Sequence, residues 1–411
     1  MSFIPDNNPA LKAHARITLT ICFLLALMEG FDLQSMGVAA PMMKEAFQLD
    51  PKQLGWAFSA ATLGTLPGAL LAGKLADMYG RKPILIINTV LFGIMSVLTA
   101  HAESFLLLLV ARFLTGLGLG GALPILITMA TEAVNPKWRG TAVSIMYCGV
   151  PAGGILTSLV VISMAKQFGW ESIFYVGGFA PLLLVPVIWF WLPESRAYLQ
   201  SKLEAEQQKF SIPHILFGEG RLFGSIQLWV SFFCTLIVLY VLLNWLPTLF
   251  AGKNFSREEI NYVQIGFNVG GAIGTLGLGF LMDKLNIKGV VALIYAGMLA
   301  SLFALSSGTE LGAIIAAATA CGIFIIGGQG TLYALAGMFY PSAIRGTGVG
   351  TAVAVGRLGS FSGPILAGLI LAGSKDSGAV ISAAIPVIAI AFVSAFILVM
   401  RFKKNSERQA T

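Results

Sequence analysis

Four charged side chains stand in stretches otherwise fit for lipid. Glu29 and Asp32 lie within the apolar run "CFLLALMEGFDLQSMGVAAP" (22–41), Arg112 within "LLLLVARFLTGLGLGG" (106–121) and Arg357 within "GTAVAVGRLGSFSGP" (350–364). An ionisable group at the bilayer centre costs at least ~2.5–3.5 kcal/mol, which makes each one a candidate for function. Glu29 and Asp32 are three apart and share a helix face. Two carboxyls together in a poorly solvated place hold a proton more readily than one alone in water. Such a pair can load a proton on one side of a membrane and release it on the other. Arginine offers a planar fork that suits a carboxylate and keeps its charge when desolvated. Arg357 falls about ten residues, ~15 Å, into its predicted span, half the hydrocarbon thickness. Its small neighbours Gly356 and Gly359 are expected to leave the guanidinium room to anchor a substrate anion. Without that anion it could pair with Asp32 or Glu29, so binding would free a carboxylate for a proton. Arg112 is a second candidate anchor, and a brace for helix packing explains it equally well.

The segments that must position these groups follow from composition. Hydrophobic residues make up 56% of the chain and charged ones 11%, against roughly 25% charged in a soluble domain. The chain reads as a polytopic membrane protein with twelve spans, near 17–40, 54–73, 84–101, 105–130, 141–165, 172–192, 226–250, 258–281, 290–307, 311–335, 347–372 and 378–400. An even number of spans puts both termini on one side. The loops on that side, with the termini, hold eighteen basic residues against six opposite, so that side is expected to be the cytoplasm. The net charge of +7 is then an orientation signal, not a nucleic-acid footprint. No signal peptide is read at the start, and the first span is expected to direct insertion. Cys22, Cys148, Cys234 and Cys321 fall in apolar runs and read as buried small hydrophobes, with no disulfide or metal site expected. His14, His101 and His214 lie outside the span interiors, which leaves proton carriage to carboxylates.

The sequence repeats. "GKLADMYGRKP" (73–83) returns as "GFLMDKLNIKG" (279–289), and "RGTAVS" (139–144) as "RGTGVG" (345–350), both 206 residues on. One offset across separate motifs implies a duplicated six-helix unit. The expected domains are 1–192 and 226–411, joined by a polar cytoplasmic linker at 193–225, either plain or carrying a short amphipathic helix. Parallel repeats place a binding site near the midplane between them. The offset sets Val238 opposite Asp32, Ala318 opposite Arg112 and Pro151 opposite Arg357, so the charges are not demanded by the repeat. Further candidates are uncharged. Asn244 and Trp245 precede Pro247, where a broken helix could line a cavity. Gln329 and Tyr333 share a helix face, as do Gln264 and Asn268; each reads equally well as interhelical glue.

"GKLADMYGRK" carries the G-x-x-x-D-x-x-G-R-[RK] pattern and so resembles the major facilitator superfamily between its second and third helices. "ARFLTGLGLGG" and "WLPESRAYL" resemble its fourth-helix and post-sixth-helix motifs. "EGFDLQ", "GTAVSIMYCGVP", "NWLP" and "GTAVAVGRLGSFSGP" are similar to the aromatic acid:proton symporter branch, and within it to the hydroxyphenylpropionate transporters. The resemblance implies an all-α fold of twelve helices in two pseudo-symmetric bundles. It also implies a gate at the 73–83 loop, in which Asp77, Gly80 and Arg81 act with Glu132 and Arg139 as a latch that breaks when the carrier opens inward. Glu132 near Arg139 also reads as a plain ion pair. Gly73 and Gly80 are expected to allow close approach and unusual dihedrals.

These features lead to one expected function. The chain is expected to be a proton-coupled symporter that imports an aromatic carboxylate across the inner (plasma) membrane, works as a monomer and uses no cofactor. A carrier of a non-aromatic organic anion, such as a dicarboxylate, is the alternative, because an arginine anchors any carboxylate. A channel would need rings of charge or carbonyls around a pore. No nucleophile–base pair, HExxH or Walker A motif lies in the sequence, which sets aside an enzyme and direct ATP coupling.

Overall fold

The computed structural model describes residues 9–135, 138–195, 221–252, 255–340, 345–374 and 376–408. Among them, twelve helices are long and apolar enough to cross a membrane. They are α1 (Pro9–Phe47), α2 (Pro51–Tyr79), α3 (Arg81–Ala100), α4 (Phe105–Glu132), α5 (Arg139–Phe168), α6 (Glu171–Trp191), α7 (Leu222–Ala251), α8 (Arg257–Lys284), α9 (Ile287–Ser307), α10 (Leu311–Phe339), α11 (Arg345–Ser374) and α12 (Ser377–Arg408). The chain is an all-α, multi-pass membrane protein. It divides into two compact units, Met1–Glu206 and Gln207–Thr411. Most of the expected linker, 196–220, lies outside the described residues, and its last four residues belong to α7, which begins at Leu222. Helices α1 and α2 run to Phe47 and Tyr79, past the ends expected near 40 and 73. A helix stops where its hydrogen bonding is capped, not where its apolar run ends; α2 stops at Gly80, whose φ of 105° favours glycine.

The duplication is written into the helix starts. Helices α2 to α6 begin at 51, 81, 105, 139 and 171, and α8 to α12 at 257, 287, 311, 345 and 377, each 206 residues later. The N-terminal caps repeat too. The Asp50 carboxylate accepts from Gln53 N at 2.8 Å while Asp50 N donates to Gln53 Oε1 at 3.0 Å. At the same offset, Ser256 Oγ accepts from Glu259 N at 3.2 Å, and Ser256 N donates to Glu259 Oε2 at 2.8 Å. Both are capping boxes, which satisfy otherwise orphaned helix-start donors.

Within each unit the same helix pairs pack: α1 on α5, α2 on α4 and α3 on α6 in unit one; α7 on α11, α8 on α10 and α9 on α12 in unit two. Glycines make the α1–α5, α2–α4, α7–α11 and α8–α10 approaches possible. A methyl at Gly153 would stand 2.1 Å from the Leu27 carbonyl oxygen, and one at Gly359 2.3 Å from that of Phe233. Gly64 would meet the Phe113 oxygen at 2.0 Å, and Gly270 that of Thr319 at 1.9 Å. The Gly153 and Gly359 contacts are twins at the 206-residue offset, as are those of Gly64 and Gly270. Small residues let helix backbones close in where lipid supplies no hydrophobic drive.

Candidate functional site

In unit one, α1 and α4 bring Asp32 and Arg112 together. Arg112 Nη2 donates to Asp32 Oδ2 at 2.9 Å and Nη1 to Oδ1 at 3.1 Å, a bidentate pair. Nη2 also reaches the Asp32 carbonyl oxygen at 3.3 Å. The guanidinium carbon lies 5.6 Å from the centre of the Phe174 ring on α6, within cation–π range. Ser96 from α3 adds a third contact to the carboxylate, donating to Oδ1 at 3.1 Å. Neither charge reaches solvent: Arg112 is 1% exposed and Asp32 0%. Glu29, one turn earlier on α1, is buried as well. The cation beside Asp32 within unit one is therefore Arg112. The local chain supports this: Gly30 packs against the Val150 backbone and Gly153 against Leu27, which holds α1 tight on α5.

A second polar cluster joins α3, α4 and the segment after α6. The Arg81 guanidinium pairs with Glu132 and donates to Ser195 Oγ at 2.8 Å, and Ser195 donates to Glu132 Oε2 at 2.6 Å. Glu194 Oε1 accepts from the backbone N–H of Arg81 at 2.9 Å and of Lys82 at 3.2 Å. A carboxylate there meets the positive end of α3 and satisfies its orphan donors. Glu132 thus pairs with Arg81 and not with Arg139, which is exposed. Asp77 is exposed, and no ion pair to it occurs among the described residues. Gly80 adopts the positive φ expected of it, but Gly73 has nothing within 4 Å of an added methyl, so it mediates no close approach here.

In unit two, Arg357 is half-buried and its Nη1 donates to Tyr240 OH at 3.0 Å. Its glycine neighbours do not open space for it. Gly359 seats α11 on the Phe233 backbone and Gly356 seats it on Leu236 and Phe232 of α7. Helix α7 is not broken at Pro247; it runs unbroken to Ala251. Asn244 donates to the Tyr240 carbonyl at 2.9 Å, and the buried Trp245 indole donates to the Pro364 carbonyl at 3.0 Å. The half-buried Tyr333 meets Phe232 edge-on at 5.5 Å, and Gln329 is buried one turn earlier on α10. Gln264 and Asn268 on α8 are fully buried, with Asn268 donating to the Gln264 carbonyl at 2.9 Å. Cys22, Cys234 and Cys321 are buried and Cys148 is half-buried.

Ser96, Phe174, Glu194, Ser195 and Tyr240 complete these clusters and were not singled out from sequence. Serines and aromatics are too common in apolar helices to signal a site by type alone. Glu194 and Ser195 belong to the "WLPESRAYL" motif, their one signal in the sequence.

Residues 22–364 match the Major Facilitator Superfamily. The chain is 48% identical over 385 residues to a 3-(3-hydroxy-phenyl)propionate transporter of Escherichia coli (strain K12), covering 94% of each chain. It is 34% identical to the 4-hydroxybenzoate transporter PcaK of Pseudomonas putida, covering 90% of this chain and 89% of that one. The crystal structure of a D-xylose-proton symporter shares the fold at a TM-score of 0.75 and 19% identity, covering 94% of this chain and 97% of that one. The sequence match spans most of the chain and the fold agrees with it. The chain belongs to the Major Facilitator Superfamily and is a transporter, not an enzyme.

Proposed function

We propose that this chain imports an aromatic carboxylate of the hydroxyphenylpropionate kind together with protons, by alternating access. The observation that carries the reading is the buried Asp32–Arg112 pair, which the duplicated unit does not repeat. An intramembrane ion pair of this kind marks an ion pathway by default. Support for the substrate class comes from the two relatives, whose names both specify an aromatic carboxylate.

The geometry fits a proton switch. With Asp32 ionised, Arg112 is held by both carboxylate oxygens. When a proton neutralises Asp32, the guanidinium keeps the Asp32 carbonyl oxygen and the Phe174 ring face. The pair then weakens without stranding the cation, which loosens α1 from α4. Glu29 on the same face is the second proton-bearing group. Arg357, partly exposed and steadied by Tyr240, anchors the substrate carboxylate, with Gln329 and Tyr333 of α10 beside the ring. Both termini face the cytoplasm of an inner-membrane protein working as a monomer. The Arg81–Glu132–Ser195 cluster, with Glu194 on the start of α3, and Asp77 form its cytoplasmic gate.

The test is uptake of labelled 3-(3-hydroxyphenyl)propionate into proteoliposomes with an acidic exterior. Accumulation that collapses with the pH gradient, and trans-stimulation by unlabelled substrate, are expected. Flux without trans-stimulation means a channel. Counterflow that ignores the gradient removes proton coupling. Transport of succinate in preference to the aromatic acid overturns the substrate class.

A further inference from the structure

The Ser96 hydroxyl faces two acceptors and owns one hydrogen. Its Oγ lies 3.1 Å from Asp32 Oδ1 and 3.3 Å from the Phe174 carbonyl oxygen, and the side chain is fully buried. A hydroxyl donates once and accepts through its lone pairs, so it serves one of these acceptors at a time. A methyl at Gly177 on α6 would stand 3.3 Å from this oxygen, so the bare glycine leaves that side of the hydroxyl uncrowded.

We propose that Ser96 is a positioning residue of the Asp32 proton site, a hydroxyl rotor that keeps the carboxyl hydrogen-bonded in both protonation states. The inference rests on the reading of Asp32 as a proton carrier. With Asp32 ionised, Ser96 donates to Oδ1. When Oδ1 takes a proton from solution, Oδ1–H donates to Ser96 Oγ, and the serine hydrogen turns to the Phe174 carbonyl. Release of the proton reverses the turn, and no covalent bond changes except that to the carried proton. Without the rotor, one of the two states would leave a buried polar group without a partner, which proteins avoid.

The duplication argues that Ser96 is not there for packing. At the 206-residue offset, Asp32, Ser96, Arg112 and Phe174 correspond to Val238, Leu302, Ala318 and Val380, all buried and apolar. The scaffold accepts apolar side chains at all four places, and Ser96 departs from that only where its contact does. The groups facing Asp32 are few. Arg112 comes from α4, and Glu29 lies on α1 itself. Between Gln53 and Gly73, α2 carries no ionisable side chain, nor does α3 between Pro83 and Ala100. Helix α5 brings Tyr147 and Cys148, and α6 brings Tyr175 beyond Phe174.

The test compares Ser96→Ala, Ser96→Thr and Asp32→Asn for the pH dependence of aromatic-acid uptake in proteoliposomes, with counterflow as a check on folded protein. Ser96→Ala loses the bond to either form of the carboxyl, and the charge-assisted bond to the ionised form is the stronger, so its midpoint should move upward by about half a pH unit, roughly a threefold change in proton affinity. Ser96→Thr keeps the hydroxyl and should keep the parental midpoint. A parental profile in Ser96→Ala overturns the rotor, as does an equal shift in Ser96→Thr, which would mark steric packing. Asp32→Asn should exchange substrate but not accumulate it. If it accumulates substrate like the parent, the underlying proton reading falls, and the rotor with it.

Discussion

Replacing Arg112 by glutamine should damage unit one more than removing an exposed charge would, and the damage should be recoverable. The substitution deletes two contacts to the Asp32 carboxylate, at 2.9 and 3.1 Å, in a place neither charge shares with solvent. Ser96 remains, but one neutral donor does not balance a buried anion. Breaking a buried pair from one side costs about 3–5 kcal/mol, which for a unit of this size lowers an unfolding midpoint by about 6–20 °C. The double variant Asp32→Asn with Arg112→Gln removes both charges and should return to within about 1 kcal/mol of the parent. Thermal unfolding of purified protein in detergent, read by intrinsic fluorescence, measures all three. The reasoning fails if Arg112→Gln melts with the parent, or if the double variant melts with the single one.

Arg357→Lys should fold but bind the aromatic acid more weakly, because charge survives and the fork does not; Arg357→Ala should show no saturable uptake, and near-normal affinity there would remove the anchor. Tyr240→Phe deletes the hydroxyl that steadies Arg357 at 3.0 Å; about 1 kcal/mol of binding, near fivefold in Kd, should be lost in a thermal-shift titration. Asp77→Asn and Glu194→Gln should slow maximal uptake with affinity changed less than about tenfold, ~1.4 kcal/mol. A large affinity loss at unchanged maximal rate would move those residues out of the gate. Gly153→Leu and Gly359→Leu should both abolish folded protein, since even a methyl meets a carbonyl at 2.1 and 2.3 Å, whereas Gly73→Ala should be silent in expression and melting.

Much of this architecture is legible in the residues because run length in an apolar chain is a strong signal. The offset between "RGTAVS" and "RGTGVG" reappears in α5 and α11, which begin at Arg139 and Arg345. Asp32 and Arg112 stand out because charge is rare in such a chain. Their union was not legible: eighty residues separate them, and nothing in spacing says that α1 and α4 meet at that level. The sense of small residues also misleads. Gly356 and Gly359 read as room for a guanidinium, but their space is filled by α7. Pro247 reads as a helix break, yet α7 continues through it. A proline removes one hydrogen bond, and a helix packed by its neighbours tolerates that loss.

The 206-residue repeat gives each site residue a built-in experimental control. Asp32 and Arg112 have counterparts at Val238 and Ala318 on helix pairs whose glycine contacts repeat in the other unit, and Ser96 and Phe174 have buried apolar counterparts at Leu302 and Val380. Writing the apolar set into unit one asks what the chemistry contributes while the helix plan is kept. Writing the polar set into unit two asks whether four side chains suffice to carry it.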